Sequence, residues 1–295
     1  MTAENATRYQ ARLLEVLEYI DTHLHEQLDV ARLSSVAAFS SYHFHRQFRQ
    51  LFGVSVMKYV QLRRLKRAAY QLAFRPDRPV LEVALDSSYE GPEAFARAFK
   101  RHVGQSPTDF RQDPQWHSWF QAYQPVHDIR SQHMQPTIGR DQVNVVHFPE
   151  TKIAALEHRG DPAHIGDTIR AFVRWRKQQE LSPKVSKTFN IFYADSEDVP
   201  PEQFTMDIGV SITTDTIDEN DVGLVAKVIP AGRCAKLRHV GSDETLDAAI
   251  HFLYAEWLPQ SGEEPRDFPL FLERLAFFPD VPEHETVVDI YLPLR

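Results

Sequence analysis

The chain lacks the marks of several large protein classes. Its one cysteine, Cys234, cannot close an intrachain disulfide and reads as a small buried residue in a reduced compartment. No apolar run approaches the ~18 residues that a membrane span needs. The opening MTAENATRYQ has no apolar core of a secretory signal, so a cytoplasmic protein without a membrane partner is expected. There is no P-loop, no dinucleotide-binding glycine fingerprint and no nucleophile elbow. Fourteen histidines invite a metal. However, His23/His25 and His43/His45 are i, i+2 pairs that point to different helix faces, and neither has a cysteine or carboxylate at zinc-finger spacing. No metal, no cofactor and no catalytic set is expected, so the chain reads as a binding protein rather than an enzyme. What is present, 42% hydrophobic and 25% charged residues over 295 positions, describes an ordinary folded chain of about two domains.

An excess of positive charge is also missing, since the net charge is −8. That total hides an asymmetry. Residues 1–115 hold 16 Lys+Arg against 13 Asp+Glu, and residues 116–295 hold 17 against 28. In the first part arginines outnumber lysines 13 to 3. The two parts are therefore read separately.

From Tyr9 to about Arg111 the pattern is helical with short turns. Leu13, Leu14, Leu17, Ile20 and Leu24 form one apolar face. Asp29 caps a second helix, and Phe39-Ser40-Ser41 leads into a third that Gly53 stops. Ser55 caps a long helix that runs to Arg75, before Pro76. Shorter helices follow near Val80–Asp86 and Pro92–Val103, with Gly104 closing the latter. The segment is internally repeated at an offset of 51. Phe44, Arg46, Phe48, Arg49, Gly53, Ser55 and Tyr59 match Phe95, Arg97, Phe99, Lys100, Gly104, Ser106 and Phe110.

The repeated helix has two faces. Phe44, Phe48 and Leu51 form the inner face of the first copy, and Phe95, Phe99 and Val103 that of the second. Ser41, Tyr42, His45, Arg46 and Arg49 look outward in the first copy, as do Glu93, Arg97 and Lys100 in the second. An apolar back and an Arg/His/Tyr front, held by a preceding helix and a tight turn, is the layout of a helix-turn-helix. Arginine can pair with guanine O6/N7, tyrosine can touch a thymine methyl, and Glu93 can either accept from cytosine N4 or only orient Arg97. The helix over 55–75 is about 30 Å long at 1.5 Å per residue, close to the ~34 Å between major-groove faces on one side of B-DNA. One chain could then read a non-palindromic duplex.

Two segments, LDVARLSSVAAFSSYHFHRQFRQLFGVSVMKYVQLRRLKRAAYQL and VLEVALDSSYEGPEAFARAFKRHVGQSPTDFR, resemble the DNA-binding domain of AraC/XylS-type transcription regulators. The resemblance implies that bases are read from Tyr42, His45 and Arg46, and from Pro92, Glu93 and Arg97. Pro92 has no N–H to donate, which leaves Arg97 as the main reader of the second half-site. Double-stranded DNA is the implied partner, and RNA polymerase a further one. The expected domain, residues 1–112, is all-α with about seven helices.

Residues 113–141 read as a linker. Trp116, Trp119, Phe120 and Tyr123 suggest a short amphipathic helix ending before Pro125, either packed on one domain or coupling two. A second duplication, at an offset of 81, covers 142–295. Lys152-Ile153-Ala154, Leu156, His158 and Gly160 match Arg233-Cys234-Ala235, Leu237, His239 and Gly241. One residue later Met206–Val210 aligns with Val288–Leu292. Each half reads strand, short hairpin, strand, helix and further strands. The expected fold is an α+β domain, with two pseudo-twofold related repeats on one antiparallel sheet and helices on one face. Along Phe271-Leu272-Glu273-Arg274-Leu275, Glu273 shares an apolar face with Phe271 and Leu275, where a carboxylate needs a partner such as Arg274, Arg233 or a ligand cation.

The stretch AIHFLYAEWLPQSGEEPRDFPLFLERL, followed by ETVVDIYLPL, resembles a GyrI-like effector-binding domain. The resemblance implies a pocket between the repeats for a small effector. Glu273 would balance a lipophilic cation there, with Trp257 as the conspicuous aromatic. Tyr254, Phe271, Phe172, Trp175 and Tyr193 are further candidate walls. Leu275 stands where such domains often have an aromatic, and Ser242-Asp243 where they often have proline-tyrosine. Together the parts point to a transcription regulator controlled by an aromatic or cationic effector. Two rivals are a hydrolase with Glu273 as general base and a protein-inhibitor module, each using the helical domain for docking.

Overall fold

A computed structural model describes residues 3–194, 199–218 and 220–295. The chain forms two compact units, one of residues 1–135 with Pro282–His284 and the other of the remainder.

The first unit has helices α1 (Ala3–His23), α2 (Val30–Val36), α3 (Ser41–Phe52), α4 (Val56–Phe74), α5 (Val80–Asp86), α6 (Pro92–Val103), α7 (Pro107–Gln112) and α8 (Trp116–His133). Their limits have local causes. The side chains of Asp29, Ser40, Ser55 and Ser106 each accept a backbone N–H in the first turn of the helix that follows. Gly53 and Gly104 close α3 and α6 at φ +73° and +84°, a conformation that other residues resist. Helices α3 and α6 have the same length, 12 residues, and begin 51 positions apart. Their caps differ, because Gly91 offers no side chain and Pro92 supplies the first helical residue instead.

Helix α8 departs from the sequence expectation. It does not end before Pro125 but continues to His133, with Pro125 inside it. The proline removes one backbone N–H, yet the following turns bury Val126, Ile129 and Arg130, and this packing outweighs the local loss. Trp116 stacks on Phe74 at 5.7 Å and meets Phe110 edge-on, so the aromatic face belongs to the helical unit.

A buried charge cluster holds the helices of this unit. Arg63 of α4 donates to Asp21 of α1 at 2.9 Å, to the Tyr123 hydroxyl of α8 at 3.0 Å and to Glu283. Arg130 of α8 also pairs with Asp21, and Lys66 of α4 reaches Glu283 at 2.6 Å. Burial alone would raise the Glu283 carboxyl. The charges of Arg63, Lys66 and Arg130 outweigh it and hold that group well below its ordinary value.

The second unit is an eight-stranded antiparallel sheet. Its strands are β1 (Val143–Phe148), β2 (Thr151–Arg159), β3 (Thr188–Phe192), β4 (Thr205–Ser211), β5 (Val225–Ile229), β6 (Gly232–Val240), β7 (Phe271–Ala276) and β8 (Val287–Pro293). The spatial order is β1-β6-β8-β7-β3-β4-β2-β5. Exchanging the first four strands for the last four reverses this order onto itself, which is the pseudo-twofold that the sequence repeat implies. One detail differs from expectation. The first two strands of each repeat do not pair as a hairpin: β1 pairs with β6 of the other repeat, and β5 with β2. The short Phe148-Pro149 and Ile229-Pro230 corners redirect the chain, so each repeat lends its first strand to its mate.

Helices α9 (Ile165–Gln178) and α10 (Leu246–His251) cover one face of the sheet, and α10 continues through a π-helical stretch, Phe252–Trp257. Ala154, Leu156, Met206, Ile208 and Val210 meet Phe172 and Trp175 of α9. Leu237, Leu272, Val288, Ile290 and Leu292 meet Leu246, Leu253 and Trp257. His158 and His239, matched in the repeat, are both buried on this face, and burial lowers the pKa of each.

Candidate functional site

On α3 the apolar residues Phe44, Phe48 and Phe52 are buried. Ser41, Tyr42, His45, Arg46 and Arg49 are all exposed. Tyr42 is 72% exposed, a high value for so large an apolar ring, and the Arg46 guanidinium lies 5.8 Å from its centroid. On α6, Phe95, Phe99 and Val103 are buried while Glu93, Arg97 and Lys100 are exposed. The two helices therefore carry the same division of faces in the same register. The inner phenylalanines set it. Phe44 and Phe48 pack at 5.9 Å, Phe95 and Phe99 at 5.5 Å, and Phe99 meets Phe110 of α7 edge-on. With that face fixed, Arg46 and Arg97, each two positions from the phenylalanine on either side, fall on the opposite side of the helix and face solvent. Within this unit α4 spans 19 residues, about 28 Å at 1.5 Å per residue.

In the second unit the candidate ligand residues divide between the two sheet faces. The strand register places Glu157, Asp207, Ile191, Phe271, Tyr291 and Lys236 in one row across the sheet, on the face away from the helices. Gly209, Phe189, Glu273, Asp289 and Arg238 form the next row. The pseudo-twofold exchanges the rows, so Asp207 corresponds to Asp289 and Phe189 to Phe271. Glu273 corresponds to Ile191 and Tyr291 to Gly209, which makes both particular to the second repeat.

An aromatic cluster adjoins Glu273. Phe271 and Tyr291 stack at 5.0 Å with 10° between their planes, and Phe148 meets both edge-on. Glu273 is 5% exposed. It accepts from the Tyr291 hydroxyl at 3.3 Å and pairs with Lys187 at 2.9 Å. Burial, followed by the Glu273 charge, pushes the Tyr291 phenol up. The arginines expected beside Glu273 go elsewhere. Arg274 lies on the opposite face and binds Asp243 at 3.0 Å, while Arg233 binds Glu263 at 2.6 Å.

Of the other candidates, Phe271 and Tyr193 share the face of Glu273. Tyr193 donates to Asp207 at 2.6 Å. Phe172, Trp175 and Trp257 do not share it, because each is packed in the core between helix and sheet. Tyr254 lies in the π-helical stretch and is 44% exposed. Size and aromaticity alone could not distinguish these rings. The residues that sequence reasoning passed over are Lys187, Phe189, Asp207, Asp289 and Tyr291. A usable signal existed, since an aspartate occupies the same place in the two apolar strands Met206–Val210 and Val288–Leu292.

Comparison with known proteins agrees with this division. Residues 141–295 match the GyrI-like small molecule binding domain, and residues 33–113 match a helix-turn-helix domain. A probable transcriptional regulator of Escherichia coli K12, YgiV, is 33% identical over 153 residues, which is 52% of this chain and 95% of that protein. The HTH-type transcriptional regulator YbfP of Bacillus subtilis is 37% identical over 103 residues, 35% of each chain. Among solved structures, the DNA-binding domain of AdpA in complex with a target DNA is 34% identical. It covers 35% of this chain and 96% of that one, with a TM-score of 0.32. The chain thus belongs to the GyrI-like family of small-molecule-binding domains and joins that domain to an AraC-type helix-turn-helix, the make-up of a DNA-binding transcription regulator with an effector-binding domain.

Proposed function

We propose that one chain reads a duplex through α3 and α6 placed in adjacent major grooves, and that a small effector bound beside Glu273 modulates this. The contacting side chains are Ser41, Tyr42, His45, Arg46 and Arg49 in one groove, and Glu93, Arg97 and Lys100 in the next. The observation that carries the reading is the repeated division of faces, with phenylalanines in and a guanidinium out on helices of equal length. A duplicated packing unit needs only the phenylalanines. Arginine at the matching outer position in both copies suits guanine edges. The protein acts where the chromosome is, in the cytoplasm, and contact with RNA polymerase belongs to the same reading.

The effector proposed is a small aromatic or cationic molecule. Glu273 would supply the counter-charge; the rings of Phe271, Phe189 and Tyr291 are buried beside it and would have to be uncovered to offer a face, where each cation–π contact is worth roughly 0.5–2 kcal/mol. Selection of a binding site from random duplexes, followed by methylation interference, tests the DNA reading. Contacts are expected in two major grooves about one helical turn apart. Contact confined to one groove contradicts it.

A further inference from the structure

Three carboxylates are buried on the sheet face away from the helices, and the structure gives each a lysine. Asp207 pairs with Lys227 at 2.6 Å, Asp289 with Lys236 at 2.6 Å and Glu273 with Lys187 at 2.9 Å. The three pairs are not equivalent. Asp289 also takes a two-pronged bond from Arg238, at 2.7 and 2.9 Å. Asp207 takes the Tyr193 hydroxyl, and its second oxygen is buried with no hydrogen-bond partner among the described residues. These two occupy twofold-related positions, which suits a role in the fold. Glu273 has no acidic counterpart in the first repeat. Its bond from Tyr291 is long, and Lys187 is the most exposed of the three lysines, at 56%.

We infer that Lys187 is a displaceable internal counter-ion that sets the selectivity of the effector site for cations. This rests on the ligand reading of Glu273 given above. The Lys187 ammonium neutralises Glu273, so the face is not an open trap for any cation. An incoming ligand must replace that ammonium, and the exchange leaves the net charge of the site unchanged. The displaced Lys187 head returns to water at little cost to itself, because it is already half in solvent, and the buried Glu273 carboxylate keeps a counter-charge because the ligand cation takes the place of the ammonium. Its backbone does not need to move. The Lys187 N–H donates to the Ser211 hydroxyl at 2.8 Å and its carbonyl accepts from the Ser211 N–H at 2.9 Å, so only the side chain swings. A strongly hydrated cation gains nothing over the ammonium it replaces. A weakly hydrated, lipophilic cation gives up less hydration than an ammonium does on moving beside Glu273, which is itself buried among the closed-over rings of Phe271, Phe189 and Tyr291.

The test uses the full chain with tetraphenylphosphonium and its neutral counterpart, triphenylphosphine oxide, measured by calorimetry. Lys187→Met is expected to raise affinity for the cation about three- to tenfold, since the competitor is gone, and to leave the neutral compound within about twofold. Lys187→Arg, a stickier partner for a carboxylate, is expected to weaken cation binding. In the otherwise wild-type chain, Glu273→Gln is expected to abolish the preference for the cation. If Glu273→Gln removes the preference but Lys187→Met does not raise affinity, the role of Lys187 is overturned and the ligand site stands. If Glu273→Gln leaves the preference intact, or no variant binds the cation, the ligand site itself is overturned, and Lys187 with it.

Discussion

At the scale of the residue, burial decides what a charge does. Glu283 carries a lowered pKa because Arg63 and Lys66 overcome the cost of its burial. A carboxyl depressed in the folded state adds stability above its ordinary value of 4.5. That stability is lost as pH falls through the lower, folded value. Glu283→Gln should therefore lower unfolding stability at neutral pH by about 3 kcal/mol and flatten the acid limb of the stability curve. Denaturant unfolding from pH 7 to pH 3 checks this, and a variant curve parallel to wild type would refute it. The histidines work at a higher pH. His158 and His239 are held below their ordinary value of 6.5 by burial, so stability declines as pH falls below that value towards their folded values. Replacing both with glutamine should remove that slope. Glu273 was recognisable in the sequence, as a carboxylate alternating with apolar residues. Its partner Lys187 was not, because the β3–β7 pairing that unites them joins segments more than 80 residues apart, and nothing local announces it.

At the scale of the element, the sequence was most legible where local chemistry sets a limit. The ends of α3, α5 and α6 follow from caps, glycines and prolines, and the bounds of α5 and α6 match the sequence reading residue for residue. Helix α8 was misjudged, because Pro125 reads as a stop while tertiary burial carries the helix through it. Strand exchange between the repeats was equally hidden, since a short proline corner resembles a hairpin turn when only sequence neighbours are considered. The aromatic face of α8 is an anchor in the helical unit. Trp119, 1% exposed, stacks with Tyr123 at 5.4 Å. Trp119→Ala should cost about 3–5 kcal/mol through lost contacts and a residual cavity. A thermal unfolding curve within a degree or two of wild type would show that α8 is not integral to the unit.

At the scale of the whole molecule, an acidic total conceals a part that is basic and arginine-rich. Effector binding can change DNA affinity only if the ligand prefers one of two conformations, and the effect on the two affinities must then be reciprocal. The central claim is narrower: α3 and α6 both read the duplex. It is tested most directly by the affinity of the wild-type chain, Arg46→Ala and Arg97→Ala for a selected duplex at a fixed ~0.1 M salt, where non-specific phosphate contacts are held constant. Each substitution is expected to cost about 1–3 kcal/mol and to relax specificity at one half-site only, a different one for each arginine. Wild-type affinity and unchanged specificity in either variant would contradict the account.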